Sequence, residues 1–117
     1  MSDFNSILPY LKSIRALPKL STIDFTELLE LYRLTKALDL RNDIINYYLP
    51  LIPQLIVRYV NQGIDIADLL QTANLKLIEI IEALPYLDID DIRGYVVKSI
   101  NNKLIDETRK SSNINHI

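Results

Sequence analysis

IDIADLLQTANLKLIEIIEAL, residues 64–84, is the stretch whose reading decides the fold. Advanced at about 100° per residue, Ile66, Leu69, Leu70, Ala73, Leu77, Ile80, Ile81 and Leu84 fall on one side, and the spacing predicts a helix over 65–84 that buries them. Asp68, Gln71, Thr72, Leu75, Glu79 and Glu82 fall on the other side. A helix that buries one face has no use for a leucine on the opposite one, so Leu75 marks a candidate docking surface. The competing reading is an isolated surface leucine of the kind folded proteins commonly carry.

Turn and cap signals divide the rest of the chain. Asp65 is placed to cap this helix and Pro85 to close it, while Gly63 is placed to end the preceding helix in a left-handed conformation. Pro50 and Pro53 fit a first turn but not a helix interior, which splits 40–60 at Leu49 and leaves Leu51, Leu55, Ile56 and Tyr59 as a fourth stripe. A third helix begins near Asp39 and carries Leu40, Ile44, Ile45 and Tyr48. Ser21 with Asp24 caps a second, whose apolar positions are Leu28, Leu31, Tyr32 and Leu34 or Thr35. Ahead of it, RALPKL (15–20) reads as a connector. Ser2 or Asp3 caps a first helix carrying Phe4, Ile7, Leu8, Leu11 and Ile14, limited or bent at Pro9. Beyond the central helix, YLDID (86–90) leads to a last helix from about Asp90 to Lys110 that buries Ile89, Ile92, Val96, Ile100 and Leu104, and SSNINHI (111–117) reads as a frayed tail.

Composition agrees with an all-α protein. The chain has 117 residues, 49% of them hydrophobic, and only two glycines. That length suits a single domain, a compact bundle of five to six helices with a core of its own. The absence of cysteine excludes disulfides and thiolate metal sites, and the only histidine, His116, stands beside the C-terminus. No metal and no cofactor are expected. No apolar run approaches the roughly 18 residues of a membrane span and no basic-plus-apolar leader opens the chain, so the expected compartment is the cytoplasm, without membrane partners.

Charge is distributed unevenly. Residues 1–92 hold 8 basic and 13 acidic side chains (8 − 13 = −5), and residues 93–117 hold 5 basic and 2 acidic (5 − 2 = +3). A basic last helix beside an acidic body suits contact with phosphate at one end and with protein elsewhere, although a solvated helix terminus gives the same imbalance. Tyr95, Lys98, Asn102 and Arg109 share about 60° of arc on that helix. Such a set can stack on a base, bond a base edge and neutralise phosphates. Gly94 within the helix costs about 1 kcal/mol against alanine, which a close approach by another backbone or a ligand would explain. Catalysis has little support: the paired acids Asp90–Asp91 and Asp106–Glu107 come with no histidine, glycine-rich loop or nucleophile and base.

Taken in order, Tyr59-Val60-Asn61-Gln62-Gly63-Ile64 followed by Asp68-Leu69-Leu70-Gln71-Thr72-Ala73-Asn74-Leu75-Lys76-Leu77-Ile78 resembles the central part of bacterial and phage RNA polymerase sigma factors, region 2. Ile92-Arg93-Gly94-Tyr95-Val96 and Leu104-Ile105-Asp106-Glu107-Thr108-Arg109-Lys110 are similar to that family's next helix, and Leu17-Pro18-Lys19-Leu20-Ser21 to the segment ahead of it. The resemblance spans about residues 17–110. It implies a non-enzymatic transcription initiation factor that binds the clamp helices of the polymerase largest subunit and recognises a minus-ten promoter element. The polymerase-binding positions then fall on Asp68, Gln71, Thr72, Asn74 and Ile78, with Leu75 on the same face, and the DNA-binding set is Tyr95, Lys98, Asn102 and Arg109. Tyr95 matches the aromatic that stacks on a flipped adenine, and Asn102 the amide that reads the upstream edge of the element. On this reading 1–16 form an N-terminal helix, 17–48 the upstream helices, 49–110 the clamp-binding and DNA-facing core, and 111–117 a tail.

The sequence departs from the family pattern at several points. Thr72 replaces glutamate, Ala73 replaces glycine, and the paired tryptophans of primary sigma factors fall on Lys98 and Ser99. No helix-turn-helix for a minus-thirty-five element fits after Lys110, which suits either a specialised sigma-like protein, in a bacterial cell or phage-infected host, working with a second protein that supplies upstream contacts, or a shortened piece of a longer factor. Two other readings stay open. One is a sigma mimic that occupies the clamp and inhibits or redirects transcription without reading DNA, the other a helical interaction module unrelated to transcription.

Overall fold

Helix follows helix with little between them in the computed structural model, which describes residues 4–15 and 22–115. We number the α-helices α1 (Leu8–Arg15), α2 (Thr22–Thr35), α3 (Leu38–Tyr48), α4 (Ile52–Ile56), α5 (Ile66–Ala83) and α6 (Ile92–Asn115). Short 3-10 turns precede α1 (Phe4–Ile7), flank α4 (Leu49–Leu51 and Val57–Tyr59) and follow α5 (Leu84–Tyr86). The expected caps Ser2, Asp3 and Ser21, residues 16–20 of the expected connector and His116 lie outside the described residues, whereas Arg15, expected to open that connector, ends α1. Among the described residues no helix is long and apolar enough to cross a membrane, and no group of histidine, cysteine or acidic side chains could hold a metal ion.

α5 lies at the centre. Every member of its apolar stripe is buried, Leu70 the least so at 8% exposure. Against it pack Val96, Ile100 and Leu104 of α6, Ile52 and Ile56 of α4, Ile44 and Tyr48 of α3, and Tyr32 of α2. The helix starts where Asp65 turns extended (φ −63°, ψ 142°) and its carbonyl accepts the amides of Asp68 and Leu69. Asp65 thus holds the N-cap position, although its carboxylate makes no capping bond to the helix. At the other end, the Ile81 carbonyl accepts both the Leu84 amide and, at 2.7 Å, the buried Tyr32 hydroxyl. This bond ties α2 to α5. Arg33, one residue on, ties α2 to the linker ahead of α6, its guanidinium donating to the Ile89 carbonyl at 3.2 Å.

Prolines mark the helix starts as the sequence suggests. Pro50 and Pro53 occupy the first positions of the 3-10 turn and of α4, and Pro9 sits in the first turn of α1 rather than bending a longer helix. The fourth helix is shorter than expected: it ends at Ile56, tightens into a 3-10 turn that brings Tyr59 and Val60 against the core, and leaves through left-handed Asn61 (φ 68°) and Gly63 (φ 91°). A short polar side chain tolerates this conformation at Asn61 and the lack of Cβ permits it at Gly63.

α2 is rotated relative to the expected stripe. Tyr32 is buried and Phe25, Leu28 and Leu29 pack against the core, whereas Leu31 is 51% and Leu34 79% exposed. The inward side carries the ring of Phe25, stacked on Tyr47 at 3.9 Å and edge-on to Tyr48, together with Tyr32, Leu28 and Leu29. Residues 111–115, expected as a frayed tail, continue α6. Neither glycine nor proline interrupts them, and each residue added to an existing helix gains a backbone bond without a new nucleus.

Candidate functional site

On α5, the side opposite the core presents Asp68, Gln71 and Leu75 to solvent, with Leu75 53% exposed. Thr72 stands half-buried beside them, and Glu79 and Glu82 continue the face toward the C-terminal end. Lys76 meets Glu79 at 3.4 Å and Arg41 of α3 meets Glu82 at 3.8 Å, so the acids at that end are partly neutralised while Asp68 meets no cation among the described residues. Asn74 and Ile78 are placed differently. Both are half-buried on the flank of the face, and Asn74 Oδ1 accepts the Tyr10 hydroxyl at 3.0 Å. Burial raises the pKa of that hydroxyl, and the bond to Asn74 opposes the shift in part. The six residues singled out on this helix thus form an open centre of Asp68, Gln71 and Leu75 and a rim of Thr72, Asn74 and Ile78. Tyr10, which secures the rim, carries no signal in sequence because it lies 64 residues away.

On α6, Tyr95, Lys98, Asn102 and Arg109 all face solvent, Tyr95 at 38% exposure. Tyr95 and Asn102 stand two helical turns apart, about 10 Å along the axis. Lys103 and Lys110 both bind Glu107, at 3.4 and 3.5 Å, whereas Lys98 and Arg109 enter no ion pair among the described residues. The cations on the Tyr95 side therefore keep their charge for an incoming anion. Asn101, which sequence reasoning passed over, takes a 3.5 Å bond from the Tyr59 hydroxyl and lines a shallow hollow with Arg93, Gly94, Lys98 and Asn102. The reason for Gly94 differs from the expected backbone or ligand approach. Asp91 caps α6 by accepting the Gly94 amide on Oδ1 at 2.9 Å, and a Cβ at position 94 would collide with that carboxylate.

The two faces belong to neighbouring helices whose apolar sides pack on one another. A partner held on α5 and a nucleic-acid strand on α6 would be fixed relative to each other by this shared core. The family model described as sigma-70 region 2 matches residues 44–114, more than half of the chain, from within α3 to the last turn of α6. No match was found among the curated proteins or the solved structures.

Proposed function

The chain belongs to the sigma-70 region 2 family, and from that premise we propose that it is a sigma-like initiation factor that holds RNA polymerase core through α5 and a minus-ten-type promoter element through α6. The observation that carries this reading is the open face of Asp68, Gln71 and Leu75 inside the family-matched span. An exposed leucine ringed by polar groups can anchor a partner helix, with the ring supplying register. The proposed contact is with the clamp helices of the polymerase largest subunit, with Thr72, Asn74 and Ile78 at the rim.

On α6, Tyr95 would stack on an unpaired base, Asn102 would pair with an adenine edge, and Lys98 and Arg109 would neutralise phosphates. Without tryptophans at 98 and 99, opening of the duplex rests on capture of a flipped base by Tyr95, aided by a second protein that supplies upstream contacts. The protein acts by binding alone, in the cytoplasm where the polymerase works. The lysine and serine at 98 and 99 also favour a second reading, a mimic that docks on polymerase without reading DNA.

Co-purification with core polymerase tests the docking. Gln71→Ala with Leu75→Asp should abolish recovery while the fold is kept, and recovery equal to wild type would refute the docking face. Tyr95→Ala with Asn102→Ala separates the two readings. A promoter reader loses open-complex formation but still binds polymerase, whereas a mimic keeps both its polymerase binding and its effect on transcription.

A further inference from the structure

We infer that the groove between α2 and α3 is a second protein-binding site, one that receives a basic amphipathic helix from a partner. The two helices form a hairpin joined at Lys36 and Ala37, with Lys36 in a left-handed conformation (φ 55°). Their outer surfaces enclose a hollow whose walls carry Asp24 and Glu27 on one side and Asp43 on the other, over a floor of Leu28, Leu31 and Tyr47. Glu27 and Asp43 meet no cation among the described residues. The floor is as unusual as the rim, since Leu31 is 51% exposed and Leu34, a turn further along the same line, 79%. Tyr47 stacks on Phe25 and meets Tyr48 edge to face, contacts that orient its ring at the hollow.

Charge and shape together select the occupant. An apolar floor flanked by carboxylates is satisfied by a segment that brings leucine-like side chains inward and lysine or arginine outward. Asp24 to Leu31 spans two helical turns, about 10 Å, and a third helix laid between two others fits that length. Nucleic acid is repelled by the same acids. The hollow lies outside the α5 and α6 faces, and most of it precedes the family-matched residues, so it adds to the docking and promoter contacts rather than restating them.

Fluorescence titration with a synthetic amphipathic helix of leucine and lysine, about 14 residues long, tests the site on the full chain. Glu27→Gln with Asp43→Asn should weaken its binding about tenfold, and Leu31→Gln should weaken it too. Glu79→Gln with Asp106→Asn removes the same charge on α5 and α6 and should leave binding nearly unchanged at physiological salt, where screening confines each charge to about 8 Å. Equal losses in the two double variants would mean diffuse attraction to an acidic protein and would overturn the site. Unchanged binding by Leu31→Gln would overturn the apolar floor. Dimerisation of the chain that the Glu27 and Asp43 changes abolish would make a second copy the occupant and refute the partner helix.

Discussion

The hydroxyl of Tyr10 donates a 3.0 Å hydrogen bond to Oδ1 of Asn74, joining the N-terminal helix to the flank of the candidate docking face. Removing that hydroxyl while keeping the ring should cost about 1 kcal/mol. Tyr10→Phe is therefore expected to speed hydrogen exchange over residues 8–14 and leave the centre of α5 protected; unchanged exchange in α1 would show that apolar packing alone holds it.

The two sides of α5 should answer truncation very differently. Leu77→Ala opens a cavity at a fully buried site and is expected to destabilise by about 2–5 kcal/mol. Leu75→Ala, on the open side, should change stability by less than about 0.5 kcal/mol while weakening polymerase binding. Urea unfolding of both variants measures the contrast, and a large loss at Leu75 would place that residue in the core.

Asp91 and Gly94 should show a reversal of sign. Gly94→Ala gains helix propensity but displaces the capping carboxylate, so alone it is expected to destabilise or break even. In an Asp91→Ala background the obstruction is gone, and the same change should stabilise by up to about 1 kcal/mol. Thermal melts of the four proteins complete the cycle, and additive effects would contradict the cap geometry.

Alkaline pH should unfold the protein partly through Tyr48. Burial, with a smaller contribution from Tyr47, pushes its phenol up to about 12 from an ordinary value of 10.0. The neutral form is favoured in the folded state, so this contribution is complete below about pH 10 and is lost as pH rises toward 12. Tyr48→Phe should flatten the stability profile in that window by about 1–2 kcal/mol, after allowance for solvent screening.

Binding of single-stranded promoter DNA should weaken as salt rises. Lys98→Ala and Arg109→Ala are each expected to lower the slope of log affinity against log salt by about 0.7, and to do so for every sequence. Asn102→Ala should instead reduce preference for one base with the slope unchanged. Slopes equal to wild type for both cation variants would remove them from the phosphate contacts.

The central helix was legible because one period governs it: every residue of the Ile66 to Leu84 stripe is buried, and Leu75 is exposed as the pattern requires. α6 was legible for the same reason, although Ser111 to Asn115 were misread because polar composition resembles a tail even where helix propagation continues. α2 was harder. Leucines at 28, 29, 31 and 34 surround the helix, so no single stripe exists, and the side that turns inward is the one whose Phe25 meets Tyr47 and whose Tyr32 meets the Ile81 carbonyl on other helices. On the candidate site, periodicity placed the open residues, but Asn74 and Gly94 owe their surroundings to Tyr10 and Asp91, contacts that side-chain reach determines and periodicity does not carry.

The bond from Tyr32 to the Ile81 carbonyl bears on where this domain begins as a physical object. The family-matched span opens at residue 44, inside α3, yet the C-terminal end of its central helix is plugged by a phenol from residue 32. A fragment cut at the matched boundary would leave Ile80, Ile81 and Leu84 without the side chain of Tyr32 that helps bury them. The family-matched span and the unit that shares one packed core are therefore different lengths of chain, and the upstream hairpin belongs to the second. Any exchange of this module between proteins has to carry the hairpin with it or supply another aromatic to close the same gap.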